Sequence, residues 1–172
     1  KQLIQKPVMI CVVGLILCLV IGICYVVSWL DVYLIPSAMA GMLITVLTGS
    51  QIALVINSAL SILLGVMLDN QFAVVMTILL GGAMGIYISN NSQQRNNLVL
   101  AGLVAGLVNF AVIFSMQLIS GNSWSQALNS GAMGVGGGLL SSVLTIGTLP
   151  IWENLFNIVT PIKLVELSDP NQ

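Results

Sequence analysis

The residue types that carry out most enzyme chemistry are scarce in this sequence of 172 residues. It contains no histidine, which removes the usual general base and the commonest metal ligand. The three cysteines, Cys11, Cys18 and Cys24, lie in one apolar run, where a thiol acts most simply as a small hydrophobic group. No acidic cluster has the spacing of a metal site, and no nucleophile has a neighbouring base. We therefore predict no catalytic, cofactor-binding or metal-binding residue in this chain.

Four uncharged polar residues inside long apolar stretches are the best candidates for a site. Asn57 and Ser61 are four residues apart, so a helix places them on one face. Asn109 and Gln117 fall within a narrow arc of a later helix. Polar groups at membrane depth face the bundle interior, where they bind a small ligand or join helices by hydrogen bonds. We favour hydrogen bonds between helices over a transport or ligand site.

Composition places these residues in a membrane. The chain is 58% hydrophobic and 5% charged, whereas a soluble domain is about 25% charged. The net charge of −1 gives no indication of nucleic-acid binding. A span needs about 20 apolar residues. We predict an all-α membrane bundle of six spans, with antiparallel neighbours and short loops, at residues 8–30, 37–49, 52–68, 72–89, 98–119 and 127–149. The second span is short, so a re-entrant hairpin of spans two and three is the alternative.

The basic residues predict the orientation of the bundle. Six spans put every basic residue on the side of the two termini, namely Lys1, Lys6, Arg95 and Lys163. The loops on the other side hold Asp31 and Asp69 and no basic residue. The positive-inside rule then predicts a multi-pass membrane protein with both termini of this chain in the cytoplasm.

Small residues at helical spacing predict close helix packing. Glycines four residues apart occur in three successive spans, as Gly81 and Gly85, Gly102 and Gly106, and Gly134 and Gly138. Such pairs let helix backbones approach each other in lipid. The stretch "GAMGVGGG" in span six has no P-loop lysine after it, so we favour packing over nucleotide binding. The pattern leaves open whether the contacts lie within the chain or join a homodimer.

Residues 150–172 differ from the rest and predict a connector. Pro150 suits the first turn of a helix, and residues 151–159 carry apolar side chains, with Trp152, on one face. We therefore predict that span six ends at residue 149 and that an amphipathic helix then lies in the membrane interface. Pro161 would bend the chain away from the membrane, with Lys163 and Glu166 in the polar part that leads to a cytoplasmic domain.

The end of the chain resembles a known family. The stretch "LPIWENLFNIVTPIKLVELSDPN" is similar to the juncture in bacterial seven-transmembrane receptors with an intracellular HD hydrolase domain, and "YLIPSAMAGMLIT", "AGLVAGLVNF" and the loop at Arg95 resemble their membrane domain. The resemblance implies an extracellular domain, seven helices and an HD domain, of which this chain would supply the last six helices. Residues 1–149 would then form the transmembrane domain and residues 150–172 the connector.

The same resemblance implies a function. The chain would anchor, and sense signals for, a cyclic di-AMP phosphodiesterase without being catalytic itself. The family's divalent metal, manganese or iron, would lie in the HD domain. The implied partners are the lipid bilayer and the protein's own extracellular and cytoplasmic domains. Two alternatives stay open, namely a transporter component like the substrate-binding subunit of vitamin importers, and a passive membrane anchor.

Overall fold

The computed structural model describes residues 2–68, 72–90 and 95–156, with side chains for residues 10–68, 72–90 and 97–155. This described part is mostly helical and contains no β-strand. Its α-helices are α1 (Gln2–Ser28), α2 (Met39–Thr48), α3 (Ser50–Met67), α4 (Phe72–Asn90), α5 (Arg95–Ile119) and α6 (Trp124–Phe156), and a 3₁₀ helix spans Val32–Leu34. Within it, five helices are long and apolar enough to cross a membrane, all except α2. The predicted all-α membrane fold is confirmed.

The second predicted span is a short helix in the middle of the bundle. Asp31 Oδ1 accepts a hydrogen bond of 2.7 Å from the Tyr33 N–H and fixes the turn after α1. Residues 31–38, which we name the α1–α2 segment, then lead into the 10 residues of α2. Every residue of α2 from Met39 to Thr45 is buried. Because its side chains face other helices rather than lipid, α2 does not need the length of an independent span.

The turn between α2 and α3 requires a glycine. Gly49 is the one residue between these helices and has a φ of 110°, a conformation that residues with a side chain rarely adopt. Its N–H donates to the carbonyls of Ile44 and Thr45 over 3.3 and 3.0 Å and so ends α2. The next residue already begins α3.

Glycine contacts fix the directions of the helices. Gly102 in α5 lies against Ser142 in α6, while Gly106, one turn later, lies against Val135. These two helices therefore run antiparallel, as the predicted topology requires. The α1–α2 segment and α2 instead run parallel to α6, because Ile35 lies against Gly137 and Met42 lies 3.9 Å from Thr145.

The glycine-rich stretch of α6 packs against two backbones at once. A Cβ on Gly137 would lie 2.8 Å from the carbonyl oxygen of Ile35 in the α1–α2 segment. A Cβ on the next residue, Gly138, would lie 2.6 Å from the carbonyl oxygen of Gly102 in α5. The sequence prediction of close packing is confirmed, and these contacts lie within the chain.

One end of the bundle collects the start of α1 and the ends of α2 and α4. A surface cavity of about 290 Å³ is lined by the turn from Thr48 to Ile52 together with Asn90. A second cavity, of about 240 Å³, joins Thr48 to Ile10 in α1. Because α6 runs parallel to α2, its last residues reach the same end, which we name the connector end. The start of α1 and the end of α6 thus lie on the same side of the bundle, as an even number of crossings requires.

Helix α6 does not end where the sequence predicted. It continues through Pro150 to Phe156 without interruption. Proline removes one backbone hydrogen bond from a helix, but membrane helices tolerate this where neighbouring helices support them. The prediction that span six ends at residue 149 and that a separate interfacial helix follows is therefore wrong.

The predicted lipid anchor is also wrong. Trp152 and Glu153 are each only 5% exposed, whereas Ile151 is 61% and Leu155 is 65% exposed. Trp152 belongs to the main buried cluster, together with Leu149 of the same helix and Leu98 of α5. The indole therefore packs into the bundle and not into the interface. Pro161, Lys163 and Glu166 lie outside the described residues, so the bend and the connector role assigned to them stay predictions.

Candidate functional site: a buried polar cluster

Asn57 joins α3 to α4 in the middle of the bundle. Its side-chain amide donates to the carbonyl oxygens of Ile78 and Leu79 over 3.4 and 3.2 Å. These carbonyls belong to α4, so the bond crosses between two helices as the sequence predicted. The side-chain oxygen of Asn57 lies against Gly82, where a Cβ would collide with it.

Asn109 makes the corresponding contact from the other side of α4. Its side-chain oxygen lies against Gly81, and a Cβ there would collide with it. Its amide nitrogen donates to the Ser37 hydroxyl over 3.3 Å and so joins α5 to the α1–α2 segment. Two consecutive glycines of α4 thus accommodate two asparagines, Asn109 from α5 and Asn57 from α3.

The two asparagine oxygens share an unusual environment. Asn57 is 2% and Asn109 1% exposed, and within the described part of the chain neither Oδ1 atom has a hydrogen-bond partner. Contact with a glycine Cα supplies only a weak C–H···O interaction. A buried acceptor without a strong donor raises the free energy of this packing arrangement. The cluster is therefore a place where a modest movement of α4 against α3 and α5 would change the hydrogen bonding.

Gln117 extends the polar cluster along α5. Its amide nitrogen donates to the Tyr33 hydroxyl over 3.3 Å and to the Ser130 hydroxyl over 3.2 Å. Its oxygen accepts from the Asn122 amide in the loop that precedes α6. One side chain thus connects α5, α6 and the α1–α2 segment.

Ser61 does not join this network. It is fully buried, but its hydroxyl donates to the Ser58 carbonyl of its own helix over 2.8 Å. A serine side chain is short enough to bond the backbone three residues earlier. Among the described residues, Ser61 makes no hydrogen bond to another helix, although we expected one there.

Hydroxyl groups of α6 complete the buried polar surface, and the sequence analysis missed them. Thr145 is fully buried and donates to the Ser141 carbonyl over 2.6 Å. Its hydroxyl also lies 3.9 Å from the Met42 sulfur in α2. Ser141 and Ser142 are buried beside it. The available signal was their position one turn after Gly137 and Gly138, because that spacing continues the face that packs most closely.

A small cavity borders the cluster. It has a volume of about 10 Å³ and lies between the α1–α2 segment and α4, with Tyr33, Ser37 and Thr77 in its wall. This is about the space of one water molecule, whereas ligand pockets usually have about 300–1,000 Å³. A vitamin-sized substrate does not fit in this cavity.

The polar cluster and the glycine contacts lie within the part of the chain that matches a known family. Residues 2–160 match the profile of the family described as "7TM receptor with intracellular HD hydrolase". The chain belongs to this family. The match extends over every described helix, including the part of α6 beyond Pro150.

Curated relatives of this 7TM receptor family member include two phosphodiesterases. The chain is 39% identical over 80 residues to the cyclic-di-AMP phosphodiesterase PgpH of Bacillus subtilis. The aligned stretch covers 45% of this chain and 11% of that protein. It is 31% identical over 80 residues to the protein of the same name from Listeria monocytogenes, with the same coverage of 45% and 11%. It is 36% identical over 84 residues to the uncharacterized protein slr0104 of Synechocystis, covering 46% and 10%.

These matches have a limited extent. The aligned part of the chain spans about a tenth of the length of each curated relative, from 10% to 11%. No solved structure matches the chain.

The family implies a divalent metal in the full-length protein, but the described residues of this chain do not fit one. The sequence has no histidine. Among the residues that the structure describes, no three His, Cys, Asp or Glu side chains come together. Cys24, for example, is buried within the face that α1 turns to the bundle. We derive no step of a reaction through a metal in this bundle.

Proposed function

We propose that this chain is the membrane-anchoring and signal-sensing part of a cyclic-di-AMP phosphodiesterase and is not catalytic by itself. The family match over residues 2–160 carries the proposal. The names of the Bacillus and Listeria relatives supply the substrate. The hydrolase would be a further domain of the full-length protein, with manganese or iron as its metal.

The proposed orientation places the connector end in the cytoplasm. The positive-inside rule supports this, because the basic residues of the sequence fall on the side of the termini. An intracellular hydrolase in the family description is consistent with the same orientation. The α1–α2 segment and the loop before α6 would then face the outside of the cell, close to an extracellular domain.

The polar cluster supports a role in sensing. The α1–α2 segment is tied to α5 at two points, by Ser37 with Asn109 and by Tyr33 with Gln117. It also packs directly on the backbone of α6 at Gly137. A displacement of this segment would therefore move α6, and the unbroken α6 would carry the movement to the connector end. This route replaces the interfacial helix that the sequence suggested.

The test of the catalytic part compares this chain with the full-length protein to which we propose it belongs. We expect the full-length protein in detergent with manganese to hydrolyse cyclic di-AMP, and we expect this chain alone to show only the detergent blank. Hydrolysis by this chain, or no hydrolysis by the full-length protein with any divalent metal, would contradict the proposal.

The test of the sensing part uses membranes that contain the full-length protein. Gln117→Leu removes the bonds to Tyr33 and Ser130, and we expect it to change the hydrolysis rate by several-fold. The matched control is Ser115→Ala, because Ser115 lies two residues earlier on α5, is exposed, and bonds only its own helix at Ala111. Equal rates for Gln117→Leu and the control would leave the bundle a passive anchor.

A further inference from the structure

The small cavity beside the polar cluster lies inside the bundle, between the α1–α2 segment and α4. Its volume is about 10 Å³, which is close to the space that one water molecule needs. The residues that line it are Val32, Tyr33, Ile35, Ser37, Val74, Thr77 and Ile78. All of them are buried except Val32 and Tyr33, which are half-buried. The cavity is therefore shielded by buried residues except along the edge formed by these two.

The wall of the cavity combines aliphatic side chains with hydroxyl groups. Four of the lining residues are aliphatic, and the other three, Tyr33, Ser37 and Thr77, carry a hydroxyl. Cavities lined by aliphatic side chains alone stay dry, whereas a buried water makes about three hydrogen bonds to polar groups. Three hydroxyls can supply that number for a single water.

Two of these hydroxyls have a proton left to donate. The Tyr33 hydroxyl accepts a hydrogen bond of 3.3 Å from the Gln117 amide. The Ser37 hydroxyl accepts one of 3.3 Å from the Asn109 amide. A hydroxyl can donate its proton while its oxygen accepts, and among the described residues neither proton has an acceptor. Both protons are therefore available to a water oxygen.

The hydroxyl of Thr77 has the complementary capacity. It donates its proton to the Ala73 carbonyl of its own helix over 2.7 Å. Its oxygen keeps lone pairs that can accept a hydrogen bond. The α1–α2 segment thus supplies donors on one side of the cavity, and α4 supplies an acceptor on the other.

From the size of the cavity and this match of donors with an acceptor, we propose that it binds one water molecule. The water accepts from the hydroxyls of Tyr33 and Ser37 and donates to the hydroxyl of Thr77. It gives the α1–α2 segment a polar contact with α4, in addition to the bonds from this segment to α5. The site concerns this chain alone and does not depend on the proposed hydrolase.

The first experiment fills the cavity and determines the sign of the change in Tm in detergent. Val74 lines the cavity and is 2% exposed, so Val74→Ile adds a carbon at its wall. Filling a dry cavity adds van der Waals contacts and raises Tm. Displacing a bound water with a group that cannot replace its hydrogen bonds destabilises the fold, and we expect Val74→Ile to lower Tm. Val66→Ile on α3 is the control, because Val66 is 63% exposed and lies outside this wall; it should leave Tm unchanged.

A second background separates the loss of water from overpacking. Thr77→Val has nearly the same shape as the wild type but removes the acceptor of the site. We expect most of the Tm loss caused by Val74→Ile to disappear in this background, because the water is then already weakly held. Overpacking acts through shape and would cause the same loss in both backgrounds.

The second experiment detects the water directly. X-ray radiolysis of the chain in water labelled with heavy oxygen forms hydroxyl radicals from bound water, and mass spectrometry measures the oxidation of neighbouring side chains. Ile78 lines the cavity and is 1% exposed, whereas Ile113 is fully buried and lies outside this wall. We expect Ile78 to be oxidised several-fold faster than Ile113, and Thr77→Val to remove most of this difference.

Three results would overturn the proposal. A higher Tm for Val74→Ile in the wild-type background would show that the cavity is dry. An equal Tm loss in both backgrounds would assign the effect of Val74→Ile to overpacking. Equal oxidation of Ile78 and Ile113 in the wild type would mean that no water resides beside Ile78.

Discussion

The amide nitrogen of Asn109 lies 3.3 Å from the hydroxyl of Ser37, although the two residues are 72 positions apart in the chain. This bond ties the middle of α5 to the segment that enters α2. The oxygen of the same amide lies against Gly81 of α4. The Asn109 side chain thus links α5 to α4 and to the α1–α2 segment, and substitutions at its neighbours can test each contact separately.

Gly81→Ala should destabilise the bundle through Asn109. The new Cβ collides with the asparagine oxygen, and overpacking of this kind costs about 1–3 kcal/mol in the free energy of unfolding. Adding Asn109→Ala removes the colliding atom and should restore part of the loss. The measurement is a double-mutant cycle of unfolding in mixed micelles. Gly22→Ala is the control, because a Cβ on Gly22 meets nothing within 4 Å; additive effects of the two substitutions would contradict the contact.

Gly138→Ala should be more harmful than Gly136→Ala. A Cβ on Gly138 meets backbone atoms of α5, among them the Gly102 carbonyl oxygen at 2.6 Å, whereas a Cβ on Gly136 meets only the end of the Leu34 side chain at 2.9 Å. A side chain can turn away, but a helix backbone cannot. We expect a loss near the upper end of about 1–3 kcal/mol for Gly138→Ala and a clearly smaller loss for Gly136→Ala. Thermal unfolding in detergent compares the two, and the reverse order would exclude the backbone contact as the cause.

Trp152→Ala should lower the stability of the bundle rather than release it from lipid. The indole is 5% exposed, and truncation of a buried tryptophan costs about 3–5 kcal/mol. Ile151→Ala, one residue earlier and 61% exposed, should change the unfolding free energy little. The check is a comparison of the two variants in detergent and in bilayer nanodiscs. If Trp152→Ala lowered the stability only in nanodiscs, the result would indicate that the indole contacts lipid and not the bundle interior.

Cysteine accessibility tests the topology. In a background in which Cys11, Cys18 and Cys24 are replaced by alanine, single cysteines are placed at positions 31, 50, 92, 123 and 168. An impermeant thiol reagent added to whole cells should label positions 31 and 123 alone. Ser50 belongs with the unlabelled group, because it lines the same cavity as Asn90 at the connector end. Labelling of position 50, 92 or 168 would refute the proposed orientation.

The long helices could be predicted because hydropathy acts along the chain. Runs without charge gave α1, α3, α4, α5 and α6 to within a few residues at most boundaries. The short α2 shows that hydropathy along the chain does not reveal which helices surround a segment. Whether 10 apolar residues suffice depends on what surrounds them, and the burial of α2 on all sides is a property of the packed bundle.

The asparagines likewise could be predicted from the sequence, whereas their partners could not. Asn57 and Asn109 could be found because an amide in an apolar run must face the interior. Their partners, Gly82 and Gly81, could not be assigned, because the register between α3, α4 and α5 is decided only when the helices pack. At Pro150 the packing of the bundle overrides a local sequence preference. Proline often begins a helix, but here the buried residues Leu149 and Trp152 hold both sides of it in one helix.

The uninterrupted α6 is longer than the membrane that it crosses. Its 33 residues rise about 50 Å at 1.5 Å per residue, while a bilayer with its headgroups is about 40–45 Å thick. Even at an average tilt of about 20° the helix exceeds this thickness. At least one end of α6 therefore extends beyond the headgroups. Because α6 is continuous through Pro150, a rotation of α6 about its own axis would also turn its last residues, up to Phe156, around that axis.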